Sequence, residues 1–218
     1  MKKALVSLGT IVALTGMAFA ADAAKVLDSA AQVVQDMSAS SQIPHSLLSQ
    51  AKCVAVIPNL TKAGFIVGGE HGTGVISCRT SSGWSAPGFI TMTGGNIGLQ
   101  AGAEHQDVVL LMNSQGKQEL INGHWDLSGE AVAAGPQGGT GATETTGWGK
   151  TPVLSYSHSK GAYAGADVGG SKLDTDKDTV HNLYGKDASM ENILGGQTQA
   201  PDSAHGFLAA LEHVGGGK

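Results

Sequence analysis

Apolar residues change rhythm twice along this 218-residue chain. From Ala23 to Met37, Val26, Leu27, Ala30, Ala31, Val33, Val34 and Met37 recur at helical spacing with Asp28, Gln32, Gln35 and Asp36 between them, which predicts an amphipathic helix with an acidic face. Pro44 opens a short second helix through Leu47, Leu48 and Ala51, at the first-turn position where a proline costs least. From Cys53 to about Gly170 the pattern becomes short β-rich runs separated by turn residues. Strands are predicted at Cys53–Ile57, Gly64–Glu70, Gly72–Arg79, Phe89–Thr93, Ile97–Glu104, Asp107–Met112, Ser128–Gly135, Val153–His158 and Ala162–Val168. Helices return after Leu173: Asp174, Asp176 and Asp178 lead into one ending near Tyr184 and Gly185, and Ser189 caps another through Leu194. Residues 197–203 read as a linker, and Ala204–Val214 as a last helix. The predicted class is α+β, a Gly-rich, curved antiparallel β-sheet or partial barrel with short N-terminal and C-terminal helices packed on it.

Glycine alternates with larger residues in two of these strands. Gly98, Gln100, Gly102 and Glu104 would share one face, and Gly161, Tyr163, Gly165, Asp167 and Gly169 another. Faces this bare permit tight sheet curvature or the close approach of a second backbone or a flat apolar ligand. Residues 135–150 are rich in Gly and Thr and lack apolar periodicity until Trp148, so they read as a long loop on the sheet.

The first twenty residues belong to a different class. Lys2 and Lys3 precede an apolar run from Ala4 to Phe19, which closes on Ala18-Phe19-Ala20, the small-x-small pattern of a signal peptidase site. The run is shorter than the roughly 20 residues a bilayer span needs and contains Gly9 and Gly16. No cysteine stands at the cleavage point, so a soluble periplasmic or secreted product is expected, not an acyl-anchored one. The domain boundaries that follow are 1–20 for the signal peptide, 21–196 for the folded domain and 197–218 for a linker with a short helix. Removing residues 1–20 leaves 11 basic against 18 acidic residues, a formal charge of −7, which argues against nucleic acid and against a polybasic grip on a membrane. The two cysteines, Cys53 and Cys78, each lie in an apolar run. In an exported chain such a pair forms either one disulfide or two buried thiols, and the compartment favours the disulfide.

Catalytic and ligand motifs fail on their spacing. Gly149-Lys150-Thr151 lacks the earlier glycine of a phosphate loop, with Glu144 standing in its place, so no nucleotide is expected. Gly83-Trp84-Ser85-Ala86-Pro87 has proline where a nucleophile elbow needs its second glycine, which leaves Ser85 as a turn residue. Asp174, Asp176 and Asp178 match the start of a calcium loop, but Thr179 replaces its glycine and Gly185 its glutamate. Carboxylates at a helix start are accounted for by the helix dipole. The eight histidines show neither an i, i+4 pair nor zinc-like spacing with a cysteine. Neither a metal, a cofactor nor a catalytic residue is predicted.

The order of short blocks is more specific than any of these motifs. Ala51-Lys52-Cys53-Val54-Ala55-Val56-Ile57-Pro58, Lys62-Ala63-Gly64-Phe65-Ile66-Val67-Gly68-Gly69 and Gly72-Thr73-Gly74-Val75 resemble the opening of the SYLF domain. Gly83-Trp84-Ser85-Ala86-Pro87, Gly98-Leu99-Gln100-Ala101-Gly102-Ala103, Asp107-Val108-Val109-Leu110-Leu111-Met112-Asn113, Ala133-Ala134-Gly135-Pro136, Leu154-Ser155-Tyr156-Ser157-His158-Ser159-Lys160-Gly161 and Tyr184-Gly185-Lys186 follow in the family's order. The resemblance spans roughly residues 25–195. It implies a non-enzymatic lipid-binding domain, phosphoinositide-binding and linked to membranes and actin in eukaryotic members, exported in bacterial ones. Two departures weaken an electrostatic grip on anionic lipid. The helix at 23–37 is acidic where the eukaryotic type is basic, and His158 stands where arginine is common.

The expected function is therefore binding of phospholipid or a membrane surface at the cell envelope, through apolar contact and a few local cations. A phosphoinositide-like or other anionic lipid is the expected ligand. Trp148 and Lys150 in the long loop, with His158, Lys160 and Tyr163 by the glycine-rich strand, are the candidate lipid-binding residues. For Trp148 and Tyr163 plain core packing is the alternative. The alternative function is a structural or interaction protein of the envelope acting through sheet-edge pairing or self-association.

Overall fold

The computed structural model describes residues 9–64, 67–97, 102–121, 124–127, 132–134, 151–159 and 170–215. Helix α1 (Gly9–Ala39) and helix α2 (His45–Gln50) lead into β1 (Cys53–Gly64), β2 (Val67–Thr80), β3 (Gly83–Trp84), β4 (Gly88–Ile97) and β5 (Gly102–Met112). After α3 (Ser114–Ile121) come β6 (His124–Leu127), β7 (Val132–Ala134), β8 (Val153–Ser159) and β9 (Ser171–Thr175). Helices α4 (Lys177–Tyr184), α5 (Met190–Leu194) and α6 (His205–Gly215) close the chain, with a 3₁₀ turn at Asp202–Ala204. The strands form one curled sheet in the order β6-β9-β4-β2-β1-β5-β8-β7, with β3 paired to β2. Every pairing is antiparallel except β7 with β8. The two edge strands, β6 and β7, have four and three described residues.

The sheet is organised by an irregularity in its central strand. Against β2 the register of β1 shifts between Val56 and Thr61, and against β5 between Ile57 and Leu60. Both shifts therefore bracket Pro58-Asn59. Pro58 has no N–H to give to a ladder, and Asn59 takes a left-handed conformation at φ 56° that asparagine tolerates better than most residues. The Asn59 N–H leaves the ladder and donates to Asp107 Oδ1 at 2.8 Å. This bulge keeps Ile57 and Leu60 on the same face, both fully buried.

That face, the inner one, carries Cys53, Ala55, Ile57, Leu60, Ile76, Ile90, Met92, Val108, Leu110 and Leu173, all buried. Its glycines are where neighbouring groups press closest. A Cβ on Gly74 would lie 2.4 Å from the Val56 carbonyl, and one on Gly72 would lie 2.8 Å from Ile57 Cγ2 and 2.9 Å from Leu60 Cδ1. In β2 these glycines make room for the side chains beside the bulge.

The outer face is covered over only one half. Val54, Val56, Val75, Phe89, Val109, Leu111 and Leu154 are buried, whereas Ala63, Gly69, His71, Thr73, His105 and His158 are exposed. Met190 of α5 sits against Gly88 on the inner face, so the outer cover comes from α1, which contacts β1 and β2, and from α6 packed on α1. Ala23, Leu27, Ala30, Val34 and Met37 turn inward from α1; Phe207, Ala210, Leu211 and Val214 do so from α6. Arg79 clamps the assembly. Its Nε donates to the Ala51 carbonyl at 3.2 Å and its Nη2 to the Gly215 carbonyl at 3.0 Å, while the guanidinium lies 4.4 Å from the centre of the Trp84 ring. The last helix thus shares the core of the sheet domain. No described helix is long and apolar enough to cross a membrane.

Several expectations change. Helix α1 covers the residues predicted at 23–37 and continues back to Gly9, because no proline or turn cluster interrupts that stretch. Of the runs predicted at 64–70 and 72–79, residues 67–79 lie on the single strand β2, since Gly72 makes room for Ile57 and Leu60 and is no turn, while Gly64 ends β1. Ile97 and Gly102 lie on strands that do not pair with each other, so 97–104 is not a single strand. Helix α3, capped by Asn113 Oδ1 accepting from the N–H groups of Gln115 and Gly116, and strands β6 and β9 were not predicted. The predicted strand at 162–168 lies outside the described residues.

Cys53 and Cys78 are direct register partners on β1 and β2, are fully buried and are joined as a disulfide. The bond closes a sequence separation of 25, and its reduction is expected to lower stability by about 3 kcal/mol in urea titrations with and without reductant. Gly74→Ala, which meets backbone, is expected to cost about 3 kcal/mol in the same titration. Gly206→Ala, which meets nothing within 4 Å, should be neutral or stabilising.

Candidate functional site

Beyond the bulge the inner face becomes polar. Register pairing lines up Glu104, Lys62, Glu70, Gly94, Ser171 and Leu127 across β5, β1, β2, β4, β9 and β6. Lys62 Nζ lies 3.3 Å from Glu70 Oε2, with side chains 14% and 6% exposed. The Ser171 hydroxyl donates to Glu70 Oε1. Between them, Gly94 supplies the path: a Cβ there would lie 2.6 Å from Glu70 Oε1 and 3.0 Å from Ser171 Oγ, so only a glycine lets the carboxylate cross β4. The neighbouring row on the same face holds Gln106, Leu60, Gly72, Met92, Leu173 and Trp125. These side chains are buried, and the Gln106 Nε2 has no hydrogen-bond partner.

The outer face opposite this cluster is exposed. His105, Thr61, His71, Thr93, Lys172 and Asp126 form its cross-strand row. Thr61 Oγ1 lies 3.0 Å from His105 Nδ1, and Lys172 Nζ lies 3.6 Å from Asp126 Oδ1. His158 sits across from Asp107 and is linked to Gln42, beyond the end of α1, through its Nδ1 at 3.0 Å.

Of the five predicted lipid-binding residues, His158 alone is among the described residues; Trp148, Lys150, Lys160 and Tyr163 lie outside them. Ser85 is 2% exposed, and its hydroxyl accepts from the Cys78 N–H at 3.1 Å while donating to the Ala86 carbonyl at 2.9 Å, a structural use. Asp176 caps α4 by accepting from the N–H and the hydroxyl of Thr179 at 3.1 and 2.8 Å. Burial pushes the phenols of Tyr156 and Tyr184 well up, which keeps them neutral, and the Tyr184 hydroxyl donates to the Pro87 carbonyl at 2.7 Å. Among the described residues no group of three or more His, Cys, Asp or Glu is placed to hold a metal ion.

Sequence reading missed the Lys62–Glu70 pair. A signal was present: between the two cysteines these are the only residues among Asp, Glu, Lys and Arg. They stand eight apart across the β1–β2 turn, in phase with buried Leu60.

A family model described as "Ysc84: Las17-binding protein actin regulator" matches residues 93–214. Protein YSC84 of Saccharomyces cerevisiae is 38% identical over 197 residues, which cover 87% of this chain and 42% of that protein. SH3 domain-containing protein PJ696.02 of Schizosaccharomyces pombe is 36% identical over 198 residues, covering 87% and 45%. SH3 domain-containing YSC84-like protein 1 of Homo sapiens is 30% identical over 194 residues, covering 87% and 56%. The chain thus spans about half the length of these relatives.

A buried ion pair costs most when one partner is removed and least when both are replaced by apolar groups. Glu70→Leu alone is expected to destabilise the protein by about 3 kcal/mol, and Lys62→Met combined with Glu70→Leu to recover most of the loss. A double-mutant cycle by chemical denaturation measures both.

Proposed function

Because the chain belongs to the Ysc84 family of SYLF-domain proteins, we propose that it is an exported, non-enzymatic binding protein that engages phospholipid at the cell envelope. Two of these relatives are named for an SH3 domain, and none of the three for a catalytic activity. Las17 and actin belong to the description of the family, whose named members are about twice as long as this chain. What this chain shares with them is the region matched here. Export rests on the Lys2-Lys3 n-region, the apolar run and Ala18-Phe19-Ala20.

The observation that carries the lipid reading is the half-covered sheet. The helices bury the outer face only at the disulfide end, leaving Gly69, Ala63, His71, His105 and Lys172 exposed over the other half. This bare surface allows lipid to approach the backbone closely, with imidazoles and one ammonium to meet head groups. From residue 20 onward helix α1 is a poor alternative: its apolar side is occupied by the core, and its exposed side holds Asp22, Asp28 and Asp36 against Lys25, which itself lies 3.2 Å from Asp22. The contact therefore depends on the sheet.

Vesicle flotation of the leader-free protein at moderate salt tests this. Flotation with phosphatidylglycerol-containing vesicles is expected, several-fold reduced by Gly69→Asp with Lys172→Glu and unchanged by Asp28→Asn with Asp36→Asn. Absence of flotation with every lipid, neutral or anionic, contradicts the reading.

A further inference from the structure

Three imidazoles stand on the open half of the outer face. His71 of β2 and His105 of β5 are exposed on either side of Thr61 in one cross-strand row, and His158 of β8 is exposed in register with Asp107. The lysines of these strands are already engaged. Lys62 turns to the inner face, 3.3 Å from Glu70, and Lys172 lies 3.6 Å from Asp126. Imidazole is the side chain that ordinarily changes charge between about pH 5 and 8. Whether this surface can offer positive charge to a head group therefore depends on the proton concentration.

The neighbours of each ring decide how much that charge counts. His71 faces Thr61 on β1 and Thr93 on β4, with Gly69 and Thr73 along its own strand, none of them charged. His105 faces Thr61, whose Oγ1 lies 3.0 Å from its Nδ1, and has Asp107 two residues along β5. His158 faces the same Asp107, and its Nδ1 lies 3.0 Å from the Gln42 Nε2. Asp107 also accepts the Asn59 N–H, so one engaged carboxylate serves two imidazoles. Farther along the face, β9 and β6 contribute Lys172, Asp174 and Asp126. With the three rings neutral, Lys172 stands against Asp107, Asp126 and Asp174, a formal charge of −2; with the three rings protonated these side chains carry +1. The surface thus changes sign, and each added positive charge near an anionic membrane strengthens binding about fivefold.

We propose that the membrane contact is gated by protons: the open half of the outer face holds anionic phospholipid when His71, His105 and His158 are charged and releases it as they lose their protons. The proposal rests on the lipid-binding reading above and deepens it by naming the charge of the lipid and the condition for binding. The sign follows from the charges on the face. Attraction is present at acid pH and is lost as pH rises through the imidazole range. Neutral lipid has no net charge to meet and gains nothing from the change.

Flotation of the leader-free protein at about pH 5.5 and about pH 8, either side of the imidazole range, tests this. The vesicles are phosphatidylcholine alone or mixed with phosphatidylglycerol. Wild type is expected to bind the anionic vesicles about tenfold or more tightly at the lower pH, and to bind phosphatidylcholine equally at both. His71→Gln with His105→Gln and His158→Gln should abolish the gain at acid pH. His71→Arg with His105→Arg, which fixes the charge, should keep anionic vesicles bound at the higher pH. A control removes three exposed imidazoles of α4 and α6, through His181→Gln, His205→Gln and His213→Gln, and should retain the wild-type response. Equal loss of the response in both triple variants would assign it to the charge of the whole protein and overturn the proposal. Failure of the arginine variant to bind at the higher pH also overturns it. Wild type that floats equally at both pH values loses the gate and keeps the membrane contact, whereas no flotation at either pH with any lipid removes both.

Discussion

The structure turns on one extra residue in its central strand. At Pro58-Asn59 the chain leaves the ladders to β2 and β5 together, and the freed Asn59 N–H is taken up by Asp107. Without the bulge, Leu60 and every residue beyond it would change face, because side chains alternate strictly along a strand. With it, Ile57 and Leu60 point the same way and fill the space above Gly72 and Gly74. The inner face is thereby continuous from the disulfide to the polar row.

The bulge also marks where the sheet changes character. On the disulfide side both faces are buried, between α1 and α6 on one and α3 and α5 on the other, so Cys53 to Ile57 form an unbroken buried run. Beyond the bulge the outer face is open and the inner face holds an ion pair, a hydroxyl and an unpartnered amide. A charged pair in such a place contributes little to stability.

Much of this architecture was legible in the sequence, for identifiable reasons. The apolar spacing of 23–37, the proline at 44, the Ser189 cap and the run 204–214 each mark a helix through local chemistry, and helices are present at all four. Cys53 and Cys78 mark the ends of a hairpin because they fall in two apolar runs that pair directly. What escaped depends on partners far away in the chain. Gly72 looks like a turn until Ile57 and Leu60 are placed against it, and Gly94 is unremarkable until Glu70 reaches across it to Ser171, 101 residues distant. Strand β9 was hidden because Ser171 and Leu173, its buried residues, are followed at once by the acids that cap α4. Of the candidate lipid residues, His158 is linked to Gln42 and stands in register with Asp107 on the outer face, while the Lys62–Glu70 pair depends on cross-strand register.

The central claim is that lipid meets the sheet beyond the bulge and not the N-terminal helix. Hydrogen–deuterium exchange of the leader-free protein, with and without phosphatidylglycerol vesicles, tests it most directly. The account predicts added protection concentrated in peptides covering 59–73 and 102–107, with the segment 23–39 unchanged. Protection confined to 23–39, with the strands unaffected, would contradict it.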